Sequence, residues 1–197
     1  MAFRILTVCT GNVCRSPLAE HLLRARLASF GVETGSAGVR ALVGSGMPAP
    51  ALDLAARLNV PDAGEHVARQ LTANLLDAAD LILTMTRDQR RAVVEASPAA
   101  TRRTFTLREL ARITGGIADV DLRSDIVGTG EQAFKEGVAL AAAMRGLVPA
   151  PRSSQELDVI DPYLQAPEVY ERSGDEISTA VESLTAYMKR VARCSEL

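Results

Sequence analysis

The stretch 9-CTGNVCRSP-17 joins a segment with the pattern of a strand to one with the pattern of a helix. Before it lies the short apolar run 3-FRILTV-8, which has no helical periodicity and therefore predicts a buried parallel strand. After it, Ser16 is a suitable N-cap and Pro17 a suitable first helical residue, so a helix is predicted that continues to Phe30. A strand, a tight turn and a helix in this order open a βαβ unit.

Strand-like and helix-like segments continue to alternate along the chain. Further strands are predicted at 32–39, 80–85 and 103–107, and further helices at 50–59, 70–79, 87–97, 131–147 and 167–194. This alternation predicts an α/β fold, with an open parallel sheet of four strands flanked by helices on both faces. The 197 residues fit a single domain, 1–197, in which about 113–157 form an insert or a long loop.

The composition is that of an ordinary globular protein. Its net charge is −2, from 22 basic and 24 acidic residues, so no basic field would attract nucleic acid or a membrane surface. Three cysteines do not make a disulfide framework, and the start of the chain lacks the layout of a signal peptide. No apolar stretch approaches the roughly 20 residues of a membrane span. We expect a cytoplasmic protein that is a monomer or a weak dimer, while export without a cleaved signal stays open.

The loop after the first strand has the parts of an anion-binding site with a nucleophile. A loop of this length that leads into a helix can direct successive backbone N–H groups inward, and the helix adds its positive end. Arg15 supplies a planar fork that matches two phosphate oxygens. Cys9 lies beneath these donors, which would also stabilise a thiolate, and a thiolate that faces phosphorus is a nucleophile for phosphoryl transfer. A phosphate-binding loop is therefore predicted between the first strand and the first helix.

Three other residues would shape this loop. Gly11 permits close backbone approach, Asn12 tolerates a left-handed conformation, and Ser16 could cap the helix or donate a hydrogen bond to the sulfur. The alternative is that Cys9 is a buried structural thiol and Ser16 an ordinary cap. A bare Cys-x5-Arg pattern is weak evidence, but the preceding strand, the internal Gly and Asn and the following Ser-Pro favour the functional interpretation.

The segment 8-VCTGNVCRSPLAE-20 resembles the signature of the low-molecular-weight protein tyrosine phosphatases, the bacterial type in particular. Further similarity lies in 36-SAG-38, 80-DLILTM-85, 104-TFTLRE-109 and 161-DPY-163, so that the likeness extends over most of 3–110 and 158–193. The resemblance implies a four-stranded parallel sheet, with Cys9 as the nucleophile, Arg15 as the phosphate clamp and Asp161 as the general acid and base. The residues that bind phosphate and shape the loop would be Thr10, Gly11, Asn12, Val13, Cys14 and Ser16.

Several carboxyl groups near the end of the chain could supply the proton transfers that ester cleavage needs. Asp158, Asp161 and Glu168 lie close together in the sequence, and spacing does not select among them. The match to the family's Asp-Pro-Tyr favours Asp161. The resemblance also places Tyr163 at the entrance, where it would stack on an aromatic substrate, and makes it a pocket residue together with Val13.

The other cysteines and the two histidines leave alternatives open. Cys14 could be a small core residue, or a resolving thiol that pairs with Cys9 and protects it from irreversible oxidation, which the resemblance favours. Cys194, in the C-terminal tail, is expected to be unimportant. His21 and His66 are interpreted as structural. Neither has a further ligand at metal-binding spacing, so no metal is expected, and the mechanism asks for no cofactor.

Three activities use a loop of this kind. Hydrolysis of phosphotyrosine in proteins is favoured, because Val13 stands where the protein-arginine phosphatases typically have Thr. A protein-arginine phosphatase is the alternative, since 82-ILTMT-86 and 104-TFTLRE-109 resemble that branch. Arsenate reduction is disfavoured, because it needs further cysteines and none lies between Cys14 and Cys194.

A different class of protein, a non-catalytic module that binds phosphorylated ligands, would need neither the nucleophile nor the acid. It is therefore the weaker alternative. The expected partners are phosphorylated protein substrates and, as the enzyme that makes them, a tyrosine kinase. Neither nucleic acid nor a membrane is expected as a partner.

Overall fold

The computed structural model describes residues 2–194 and contains one parallel sheet of four strands in the order β2-β1-β3-β4. The strands are β1 (Arg4–Cys9), β2 (Glu33–Gly38), β3 (Leu81–Thr84) and β4 (Thr104–Thr106). Strands β2 and β3 both pair in parallel with β1, which is consequently central. The predicted fold class is confirmed.

Eight α-helices connect and cover the strands within the described residues. They are α1 (Arg15–Leu27), α2 (Ala49–Arg57), α3 (Ala73–Ala78), α4 (Arg87–Ala96), α5 (Leu107–Gly115), α6 (Asp119–Asp125), α7 (Glu131–Met144) and α8 (Pro167–Cys194). Helices α5 and α6 were not predicted from the sequence. Within residues 2–194, no helix has the length and apolar character that crossing a membrane requires.

The two faces of the sheet carry cores of different size. Side chains alternate along a strand, so Ile5 joins the larger core and Leu6 and Val8 the smaller one. The larger core includes residues of α1, α2, α5, α7 and α8, and the smaller core residues of α3 and α4. All four residues of β3 are buried, as expected for an inner strand with helices on both faces.

The start of α1 differs from the prediction. The helix begins at Arg15, and its N-cap position is Cys14, which makes no side-chain capping bond. Ser16 therefore lies inside the first turn and is not the N-cap. Pro17 is tolerated there because the first helical N–H groups have no partner within the helix.

The segment 113–157 contains α6 and α7, and α7 packs on the larger core. The ring of Phe134 lies 5.4 Å from that of Phe3, and the Tyr187 hydroxyl of α8 donates a hydrogen bond to the Gly137 carbonyl over 2.8 Å. Just after α7, the Arg145 guanidinium lies over the ring of Phe105 in β4, 4.1 Å from the ring centroid. These contacts attach the segment to the sheet on the side of α8.

The last residue of β2 lies in a place that admits no side chain. Gly38 pairs with Cys9, and a Cβ atom on it would lie 2.5 Å from the Thr10 carbonyl oxygen and 2.9 Å from the Ala41 Cα. Both atoms are backbone atoms, so they could not turn away as a side chain can.

We predict that Gly38→Ala lowers the free energy of unfolding by about 1–3 kcal/mol, the usual cost of inserting atoms into a packed site. Urea unfolding followed by circular dichroism measures the change. Gly64→Ala is the control, because a Cβ there meets no atom within 4 Å, and it should change stability by less than about 0.5 kcal/mol. Equal stability of the two variants would contradict the role assigned to Gly38.

Candidate active site

The loop formed by residues 10–14 leaves the carboxyl end of β1 and enters α1. Strand β1 lies between β2 on one side and β3 on the other, so the connections that follow the neighbouring strands β1 and β3 leave in opposite directions. Open parallel sheets form a crevice at such a point, outside the carboxyl ends of the strands. The predicted loop therefore lies where folds of this class bind ligands.

The sulfur of Cys9 faces two polar groups. The side chain is buried, the Asn12 backbone N–H donates a hydrogen bond to Sγ over 3.2 Å, and the Ser16 Oγ lies 3.0 Å from it. Asn12 Nδ2 donates to the same Ser16 Oγ over 2.9 Å, which leaves the hydroxyl proton free to point at the sulfur. A negatively charged sulfur would thus accept two hydrogen bonds at this position.

Asn12 ties the loop to its surroundings. Its φ is 56°, in the left-handed region that Asn tolerates, and its side chain is buried. Nδ2 also donates to Ser36 Oγ over 2.9 Å, and Oδ1 accepts from the Arg69 backbone N–H over 2.9 Å. The Asn12 carbonyl oxygen accepts from His66 Nε2 over 2.7 Å. His66 is therefore a loop support, whereas His21 packs edge-on against His66 and contacts Arg24.

The carbonyl groups of the loop accept hydrogen bonds on the side that faces away from the cavity. Those of Cys9, Thr10 and Gly11 accept hydrogen bonds of 2.9–3.0 Å from the backbone N–H groups of residues 39, 40 and 42. Carbonyl and N–H of one peptide unit point in opposite directions, so the N–H groups of residues 10–12 face the other side. Such a row of N–H groups at a helix start forms a nest for an anion.

Arg15 and Asp161 meet at this nest. Only 4% of the Arg15 side chain is exposed, one Nη forms an ion pair with the Asp161 carboxylate, and the other donates to the Val159 carbonyl over 3.2 Å. The Arg15 Nε is buried and has no hydrogen-bond partner. A buried donor without an acceptor marks a place for a ligand that can accept a hydrogen bond.

Eight of the ten predicted site residues line a cavity of about 150 Å³. Its wall contains Cys9, Thr10, Gly11, Val13, Cys14, Arg15, Arg40, Leu42, Asp161 and Tyr163. Asn12 and Ser16 are buried beneath the loop. The sequence analysis did not select Arg40 and Leu42. The one signal for them is that they come just after 36-SAG-38, a stretch that resembles the family. Cys194, at the end of α8, packs partly buried against the larger core and is not among the residues that line the cavity.

Cys14 differs from Cys9 in its surroundings. Burial, above all, raises the pKa of the Cys14 thiol to about 12, and the nearby Cys9 and Asp161 add to this effect. A hydrogen bond with the Tyr170 hydroxyl of α8 and the charge of Arg15 oppose it only in part. Cys14 therefore keeps its proton at neutral pH.

Comparison with known proteins gives the class of this site. Residues 4–150 match the family model described as low molecular weight phosphotyrosine protein phosphatase. The match covers most of the chain and includes the loop at 10–14, but it ends before Asp161. The chain belongs to the low molecular weight phosphotyrosine protein phosphatase family, and it is a phosphatase, hence a hydrolase.

Individual relatives include both branches of the family. The probable low molecular weight protein-tyrosine-phosphatase EpsP of Ralstonia solanacearum is 43% identical over 106 residues, which are 54% of this chain and 71% of that protein. The protein-arginine-phosphatase of Geobacillus stearothermophilus is 41% identical over 120 residues, 60% of this chain and 79% of that protein. The solved structure of the YwlE arginine phosphatase from the same organism superposes with a TM-score of 0.68, at 29% identity, over 95% of this chain and 93% of that one.

We predict that Cys14 is a slow thiol in the folded protein. In the variant Cys9→Ser/Cys194→Ser it is the one cysteine left, and iodoacetamide at about pH 8 should alkylate it at least about 100-fold more slowly than free cysteine. Mass spectrometry measures the rate, and the same variant unfolded in guanidinium is the control. A native rate close to the unfolded rate would show that Cys14 is not protected by its surroundings.

Proposed function

We propose that the protein hydrolyses phosphotyrosine in proteins through a phosphocysteine intermediate on Cys9. Arg15 binds the phosphate, and Asp161 is the general acid and then the general base. The observation that carries the proposal is that Cys9, Arg15 and Asp161 line one small cavity, in which the Arg15 guanidinium pairs with the Asp161 carboxylate. The family supplies the phosphatase activity and phosphoprotein substrates.

The first step transfers the phosphoryl group to sulfur. The phosphate takes up the inward N–H groups and the Arg15 guanidinium, in place of the Asp161 carboxylate that pairs with it. The Cys9 thiolate attacks phosphorus, an S–P bond forms and the P–O bond to tyrosine breaks. The displaced Asp161 carboxylate takes up a proton from solvent and gives it to the leaving phenolate oxygen.

The second step releases inorganic phosphate. Asp161, now a carboxylate, takes a proton from water as the water oxygen attacks phosphorus and the S–P bond breaks. The electron pair returns to sulfur, where the Ser16 hydroxyl and the Asn12 N–H stabilise the thiolate. The proposed cycle uses no metal and no cofactor.

The cavity wall supports tyrosine as the phosphorylated residue. Val13, Leu42 and Tyr163 offer apolar and aromatic surface, which suits the flat ring of phosphotyrosine. Arg40 lies in the same wall and would repel the positive guanidinium of phosphoarginine. Protein-arginine phosphatase activity is the second candidate, supported by the similarity to the Geobacillus enzyme.

The other expectations belong to the same proposal. We propose that residues 1–197 form one domain in which 113–157 is an insert, and that the protein is a cytoplasmic monomer or weak dimer. The enzyme that phosphorylates its protein substrates would be a tyrosine kinase. Cys14 would act as a resolving thiol for oxidised Cys9, although its raised pKa makes this reaction slow at neutral pH.

We predict that Cys9→Ser abolishes the release of p-nitrophenol from p-nitrophenyl phosphate, and that Asp161→Asn lowers kcat/KM for phosphotyrosine peptides, whose leaving group needs a proton, by about 10²-fold or more, the usual contribution of a general acid. Glu168→Gln is the matched control, because Glu168 is an exposed carboxyl a short way along the chain, and its activity should equal that of wild type. Turnover by Cys9→Ser would overturn the proposal. Phosphate binding without turnover by the wild-type protein would favour a binding module.

We predict that wild-type protein hydrolyses phosphotyrosine peptides with a higher kcat/KM than phosphoarginine peptides of the same sequence. Val13→Thr places a hydroxyl in the apolar wall and should lower kcat/KM for phosphotyrosine by about tenfold. Release of inorganic phosphate measures both substrates. A preference for phosphoarginine in the wild type would establish the second candidate instead.

A further inference from the structure

The chain segment that carries Asp161 is held by hydrogen bonds at successive backbone groups. The Val159 N–H donates to the Met85 carbonyl over 2.8 Å, and the Asp158 carbonyl accepts from Arg108 Nη1 over 2.8 Å. The Asp158 carboxylate accepts from the backbone N–H and the guanidinium of Arg87, at distances of 2.8–3.3 Å. This segment is therefore fixed to the start of α4 and to α5.

One peptide unit in this segment is held at both ends by charged groups. It is the unit between Val159 and Ile160, one peptide unit before the one that joins Ile160 to Asp161. Its carbonyl oxygen accepts from Arg15 Nη1 over 3.2 Å, and its N–H donates to Glu176 Oε2 over 3.0 Å. A cation at the oxygen and an anion at the N–H both agree with the dipole of the peptide group, so each hydrogen bond strengthens the other.

Glu176 is itself fixed. Its side chain, on α8, is only 14% exposed. Its Oε1 lies 3.4 Å from Arg108 Nη1 and accepts from Arg172 Nε over 3.2 Å, which leaves Oε2 for the peptide N–H. A carboxylate held in this way cannot follow the segment if the segment moves, so it defines where the peptide unit lies.

We propose that Glu176 is a positioning residue that sets the place of Asp161 relative to the phosphate clamp. The Glu176 carboxylate and the Arg15 guanidinium hold the same peptide unit. The position of the Asp161 segment is therefore fixed relative to the guanidinium that would bind phosphate. Glu176 touches neither the substrate nor the reacting atoms. The inference rests on the proposed role of Asp161 as the general acid.

A misplaced acid has a signature that a loss of folded enzyme does not have. Phenolate is a poor leaving group and needs a proton, whereas p-nitrophenolate leaves readily without one. A defect in proton delivery therefore lowers kcat/KM for phenyl phosphate more than for p-nitrophenyl phosphate. A reduced amount of active protein lowers both values equally, so their ratio isolates the position of the acid.

Glu176→Ala should raise the ratio of kcat/KM for p-nitrophenyl phosphate to that for phenyl phosphate by about tenfold, because small displacements of a catalytic group are costly. Glu176→Gln keeps an oxygen that can accept from the peptide N–H and should stay within about twofold of wild type. Glu171→Ala is the control, since Glu171 lies on the same helix and pairs with Arg57, away from the Asp161 segment. Its ratio should be unchanged.

The variant Asp161→Asn distinguishes the positioning role of Glu176 from the acid role of Asp161. If it raises the ratio while Glu176→Ala leaves the ratio as in wild type, the positioning role of Glu176 is overturned and the acid stands. If Asp161→Asn leaves the ratio unchanged, the acid assignment is overturned, and the inference with it. A raised ratio in both Asp161→Asn and Glu176→Ala, with near wild-type behaviour of Glu176→Gln, supports the inference.

Discussion

The shape of the loop after β1 depends on the amide side chain of Asn12. A left-handed backbone costs a non-glycine residue about 1–2 kcal/mol, and here the surroundings hold it in place. The amide nitrogen donates to Ser16 and Ser36 and the amide oxygen accepts from the Arg69 N–H, so a buried polar group is satisfied from several sides. The turn at this residue brings its own N–H onto the Cys9 sulfur. The anion nest thus depends on hydrogen bonds that lie behind it, out of reach of the ligand.

The parts of this site that are local in sequence could be predicted, and the parts that need the tertiary fold could not. The strand, the glycine turn and the arginine lie within a few residues, so their spacing carries the information. The start of α1 was misjudged because Ser-Pro is a strong cap signal, while in the fold the Ser16 hydroxyl is used by Cys9 and Asn12 instead. Arg40 and Leu42 reach the cavity because β2 pairs with β1, and the one signal for them in the sequence is their position just after 36-SAG-38.

Helix α5 shows a signal that was present and overlooked. Thr106 and Glu109 form a capping box, in which the threonine oxygen accepts from the Glu109 N–H and the glutamate oxygen accepts from the Thr106 N–H. The first two of these four residues, Thr106 and Leu107, were assigned to the end of a strand, since threonine also favours strands. For Asp158 and Asp161, by contrast, the tertiary fold supplies information that their spacing lacks. They are three residues apart, and their spacing does not distinguish them. In the fold one binds Arg87 and the other Arg15.

The pairing of Arg15 with Asp161 explains how a guanidinium can be kept buried before any ligand arrives. A buried cation without an anion is strongly unfavourable, and the carboxylate supplies the missing charge. A phosphate that enters the nest brings its own negative charge, so it replaces one anion by another and buries no unpaired cation. In the proposed mechanism, the displaced Asp161 carboxyl, which is half exposed, would then be available to the leaving group. In that mechanism, binding of the phosphate and release of the acid would be two sides of a single exchange at Arg15.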